Sequence, residues 1–73
     1  MTRLIHVVSS DDKRVVVRVY RNAGLDEYVA RLIVDGVLLV ACDYFTDSKQ
    51  DVMDTAVSML DEAKKKLVMP VRL

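Results

Sequence analysis

A chain of 73 residues with eleven basic and eleven acidic side chains, 52% of it hydrophobic, is one small domain of zero formal charge. That balance lacks the basic excess by which nucleic-acid binders usually declare themselves. One cysteine (Cys42) and one histidine (His6) exclude an internal disulfide and a closed zinc site, which takes about four ligands.

Residues 3–8 are a short β-prone run, and Ser9-Ser10-Asp11-Asp12 is a polar turn. The valine-rich stretch 13–21 reads as a second strand. Asn22-Ala23-Gly24 marks the next turn, with Gly24 expected at positive φ. A third strand covers 27–34 and a fourth 37–44, joined by Asp35-Gly36, the dipeptide of a two-residue type I′ hairpin. The period then changes. Asp47 is the expected helix cap with Gln50 as capping-box partner, and Thr46 and Ser48 are close alternatives. Val52, Met53, Ala56, Val57, Met59, Leu60, Ala63 and Leu67 form one apolar arc. Acids in the first turns and Lys64, Lys65 and Lys66 in the last suit the helix dipole, at about 0.3–1 kcal/mol each. Pro70 stops the helix. The expected fold is α+β: a four-stranded antiparallel meander with one C-terminal helix packed on one face (ββββα). It is a single domain over 1–73, with 68–73 as an extended tail.

The Asp-Gly turn sets a register, and the register sets the faces. Val34, Leu32, Ala30 and Tyr28 oppose Val37, Leu39, Ala41 and Asp43 on a core face, joined by Val15, Val17 and Val19. The outer face pairs Ile33 with Leu38, Arg31 with Val40 and Val29 with Cys42, flanked by Glu27 and Tyr44, and gathers Arg14, Val16, Arg18 and Tyr20. A sheet half in water should alternate apolar and polar, and the stretch 29–42 does not. One helix covers one face, so the other needs a cover. A domain this size buries only about 60% of its unfolded surface, and self-association is the support left to it. The competing cover is the N-terminal segment or residues 68–73 folding back.

Catalysis by a nucleophile needs a base within about 3 Å. The only Cys/His pair is Cys42 with His6, on different strands. Their plain readings are a small buried hydrophobe and a strand residue on a wet face. No phosphate-cradling glycine loop and no metal-spaced set occurs, so no catalytic residue, metal or cofactor is expected. Arg14, Arg18, Arg31 and Tyr20 on a sheet resemble the way single-stranded nucleic-acid readers hold phosphates and bases. The rest of that face is aliphatic, and the helix carries five acids, which makes nucleic acid the second choice. Asp47, Asp51, Asp54, Asp61 and Glu62 are either an acidic surface for a basic groove on a partner or the solvated back of an amphipathic helix. The longest apolar run, 37–42, falls far short of the roughly 20 residues that span a bilayer. No early segment has the pattern of a signal peptide, and a lone cysteine fits a reducing cytoplasm.

The segments RVYRN, EYVARLIVDG and DYFTDSKQDVMDTA, within about residues 14–60, resemble small uncharacterised proteins carried by bacteriophages and prophages. Their shared pattern is an aromatic strand end, a cap and a helix face. In size and style the chain is also similar to some anti-CRISPR proteins. The resemblance implies a non-enzymatic protein in the host cytoplasm that binds and blocks a host protein complex, often as a dimer. The expected homodimer interface on the outer face is Arg14, Arg18, Val29, Arg31, Ile33, Leu38, Val40 and Tyr44. At about 25 cal/mol per Å² of apolar area, covering its apolar members is worth several kcal/mol.

Overall fold

The computed structural model describes residues 2–68, with side chains through Lys65. Three eight-residue strands, β1 (Thr2–Ser9), β2 (Val15–Asn22) and β3 (Glu27–Val34), pair antiparallel in chain order. On the far edge of β3 lie two short strands, β4 (Val37–Leu38) and β5 (Tyr44–Thr46), separated by a 3-10 turn at Val40–Cys42. The helix α1 (Lys49–Val68) crosses the sheet and packs chiefly on β2 and β3. The architecture is the α+β sheet-plus-helix that the periodicities predict. The stop at Pro70, the tail and the side chains of Lys66 and Leu67 lie outside the described residues.

The three turns between the strands combine left-handed residues with side-chain hydrogen bonds. Asp35 (φ 52°) and Gly36 (φ 81°) take the left-handed conformations of a type I′ turn, which matches the twist of the strands. In the 22–27 turn the left-handed residue is Asp26 (φ 51°), not Gly24. Asn22 explains the exchange: its Oδ1 accepts the N–H groups of Gly24 and Leu25 at 3.1 and 3.3 Å, which holds Gly24 in an ordinary turn. In the first turn the buried Ser10 hydroxyl donates to Asp12 at 2.7 Å and accepts the Val15 N–H at 3.1 Å. The Ser10 hydroxyl and the Arg14 N–H, both donating to Asp12, hold its carboxyl below its ordinary range.

The fourth strand departs most from expectation. Ile33–Leu38 and Val34–Val37 pair as predicted, and the Leu39 N–H donates to the Leu32 carbonyl at 2.9 Å. The next three residues then leave the sheet. Pairing resumes with Ala30 opposite Tyr44, Val29 opposite Phe45 and Tyr28 opposite Thr46, instead of Ala41, Cys42 and Asp43. An excursion of odd length reverses which face each later side chain takes. Tyr44 therefore lies on the helix side, not the outer face. Val40 sits in the turn, 66% exposed, and does not oppose Arg31. Cys42 is exposed rather than buried in a strand.

The core is small. Val15, Val17, Val19, Ala30 and Leu32 meet Val52, Ala56 and Ala63, and among the described residues no fully buried side chain is larger than valine. Ala30 and Ala56 have no accessible surface, and their short side chains let helix and sheet approach closely. Val57, assigned to the apolar arc, is 57% exposed, because it sits at the arc's margin where the helix turns away from the sheet. The helix is capped by Ser48, not Asp47: its Oγ accepts the Asp51 N–H at 3.2 Å. Ser48→Ala is expected to cost about 1 kcal/mol, read as a lowered urea midpoint with unchanged slope.

Candidate interaction face

The face opposite the helix is uncovered among the described residues. The N-terminal segment does not fold over it, since β1 lies in the plane of the sheet. Register arranges the face into three cross-strand rows. Leu4, Tyr20, Val29 and Phe45 form one, and Val16, Ile33 and Leu38 continue from Ser9 in another. Between them run Val7, Arg18 and Arg31. The row ends at Asp43, whose Oδ2 lies 3.4 Å from Arg31 Nε. Leu4, Val7, Leu38 and Phe45 are 42–54% exposed.

The rows explain two features that composition alone does not. Val29 is only 4% exposed on this open face, because Tyr20 and Phe45 flank it on either side. Arg18 and Arg31 are direct cross-strand neighbours, a repulsive pairing. Asp43, its side chain 8% exposed, relieves it, and the Arg31 guanidinium lies 5.5 Å from the Tyr20 ring centre, within cation–π range.

Of the expected interface residues, Arg18, Arg31, Ile33 and Leu38 stand together on this face. Val29 is there too, sheltered by its neighbours. Arg14 stands at the corner before β2, donating from Nε and Nη2 to Asp35 at 2.9 and 3.2 Å. This pair holds the Asp35 carboxyl low and raises the Arg14 guanidinium. Leu4, Val7 and Phe45 belong to the face and were not anticipated. The signal for Phe45 was Asp43: opposing it to Arg31 rather than Tyr28 gives the observed register and an ion pair.

On the other side of the sheet, the Tyr44 hydroxyl donates to Asp51 at 2.6 Å, which raises the phenol above the ordinary 10.0 of tyrosine. The raised group stabilises the fold fully below pH 10 and ceases to do so as pH rises through its folded value. Tyr44→Phe is expected to flatten the alkaline limb of a plot of urea midpoint against pH. Limbs of equal slope would show that the bond contributes nothing to the linkage.

The acids of α1 are spread over several partners. Besides Asp51, Asp54 accepts from Gln50 at 3.0 Å and Asp61 lies 3.6 Å from Lys65, while Asp47 lies before the helix and is exposed. Glu62 faces a groove on the sheet side of the helix instead. His6 is on the β1 edge and Cys42 in the 3-10 turn beyond the opposite edge, with the width of the sheet, three strand spacings or about 14 Å, between them, too far for a nucleophile and its base. Among the described residues no group of three or more His, Cys, Asp or Glu side chains is placed to hold a metal, and no helix is long and apolar enough to cross a membrane. No family model matches this chain, and neither a curated protein nor a solved structure is significantly similar to it.

Proposed function

We propose that this is a non-catalytic interaction protein that pairs with a second copy of itself through the outer sheet face. In the cytoplasm of a host cell the dimer binds and blocks a protein complex, as the resemblance to phage proteins implies. The observation that carries the reading is the face that the described residues leave uncovered, with two rows of apolar side chains bracketing the Arg18–Arg31–Asp43 row. Aliphatic and aromatic groups mixed with arginine are the composition of interface centres. Contiguous apolar patches of this kind are uncommon on monomers. Asp47, Asp54 and Asp61, exposed on the helix side, would be offered to a basic groove on the partner in exchange for the Gln50 and Lys65 contacts.

The nucleic-acid reading is the less well supported alternative. Arg14 is engaged by Asp35 and Arg31 by Asp43, which leaves Arg18 as the one free guanidinium of the three among the described residues. Sizing with light scattering tests the proposal: it expects twice the 8.3 kDa chain mass, and a monomer at tens of micromolar overturns it. A labelled single-stranded oligonucleotide is expected to show no salt-sensitive binding.

A further inference from the structure

The charged row of the outer face restricts how a second copy can sit on it. Asp43 ends that row with its side chain nearly buried, yet few donors reach it. Its 3.4 Å contact with Arg31 is an ion pair without hydrogen-bond geometry: among the described residues Arg31 Nε finds no acceptor and Asp43 Oδ1 no donor. A buried polar atom left in that state costs free energy and calls for a partner. Arg18 has the converse need. It is exposed, stands beside the like-charged Arg31, and has no acid of its own among the described residues.

Two copies of one sheet packed face to face, about 10 Å apart, are related by a two-fold axis lying between them. An axis perpendicular to the strands and centred on the charged row sets Arg18 on Arg18, Arg31 on Arg31 and Asp43 on Asp43. Shifted by half a row either way, it lays Arg18 and Asp43 on an apolar row. An axis along the strands keeps each row facing itself. Over β2 it opposes Arg18 to Arg18, and between β2 and β3 it opposes Arg18 to Arg31. Over β3 it opposes Arg18 to Asp43 of the second copy. The same placement sets Ile33 on Ile33, Val16 on Leu38 and Tyr20 on Phe45, apolar row on apolar row. Arg31 meets Arg31 on the axis, each already beside its own Asp43 and its own Tyr20 ring.

We propose that the dimer axis runs along the strands over β3, and that Arg18 of each subunit donates to the Asp43 carboxylate of the other. The assignment rests on the outer-face reading and names the residues that select the second copy. Each Asp43 is completed only by its counterpart's guanidinium, and the pair forms twice. A sheet of similar hydrophobicity without an acid at that place would leave Arg18 buried beside Arg31 with no counter-charge, which turns the row into a device against wrong partners.

Light scattering tests the assignment on four samples at one concentration: the unaltered chain, Arg18→Glu, Asp43→Lys, and an equal mixture of the two variants. Arg18→Glu is expected to weaken the dimer at least tenfold with circular dichroism unchanged. The new carboxylate suits Arg31 in its own sheet but faces Asp43 of the other copy. Asp43→Lys is expected to weaken the dimer as well. The mixture is expected to return to twice the chain mass, as a heterodimer in native mass spectrometry, because each variant carries the charge that the other lacks. Position 43 is nearly buried, so a second measurement covers an Asp43→Lys chain that fails to fold. In a double-mutant cycle of Arg18→Met and Asp43→Asn, the double variant is expected to lose no more dimer affinity than the worse single one. A monomeric unaltered chain overturns the outer-face reading and this assignment with it. Three results in a dimeric chain overturn the assignment alone: an Arg18→Glu variant that dimerises as tightly, folded variants that do not pair when mixed, or an additive cycle.

Discussion

Val17→Asp is expected to abolish the fold. Val17 has no accessible surface, lies opposite Leu32, and belongs to the cluster that Val52 and Ala56 close from the helix. The substitution removes a fully buried aliphatic group, worth about 1.5–3 kcal/mol. It also leaves a carboxylate in the core with no partner, at a further cost of several kcal/mol. A domain of this length has a total stability of about 4–11 kcal/mol. With a core of valine, alanine and leucine, this one has little in reserve. The measurement is the loss of amide dispersion in a proton–nitrogen correlation spectrum and of a cooperative melt. Val16→Asp, one residue away on the other face, is the control and should melt cooperatively. A folded Val17→Asp variant would mean that the helix covers the other side.

Ile33→Asp is expected to separate the dimer while leaving each subunit folded. Ile33 sits between Val16 and Leu38 in the aliphatic row, half-buried within its own chain. In the free subunit the new carboxylate reaches water; in the dimer it is desolvated between two sheets. Removing a central interface anchor costs about 2 kcal/mol or more, roughly thirty-fold in Kd, and the stranded charge adds to it. Light scattering should report the 8.3 kDa chain alone, with circular dichroism unchanged. Phe45→Asp, in the other apolar row, should do the same. A dimer that survives both substitutions is held by another surface.

The sheet order, the Asp35-Gly36 hairpin and the inward valines of β2 were legible because each rests on a local rule. A period of two, a turn dipeptide and a change to helical spacing leave few alternatives. The 3-10 turn was not legible in the same way. Val40-Ala41-Cys42 holds no glycine, proline or other turn former, and its apolar character reads as more strand. What places it outside the sheet is tertiary: Arg31 needs Asp43, and the small Ala30 leaves room for Tyr44 beside the helix. Once the turn is counted out, Tyr44 and Val40 leave the expected interface and Phe45 enters it. Leu4 and Val7 were missed for a different reason. The pairing of β1 depends on a bulge at Ile5, between Leu4 and His6, and a single extra residue decides which side chains face out.

Omitting residues 40–42 from the numbering makes Leu39, Asp43, Tyr44, Phe45 and Thr46 consecutive partners of Leu32, Arg31, Ala30, Val29 and Tyr28. β4 and β5 are thus a single ribbon with a detachable loop spliced into it. Chain length can vary at that splice without disturbing a single rung on either side. Evolution can therefore reshape the loop that carries Cys42 independently of the opposite surface.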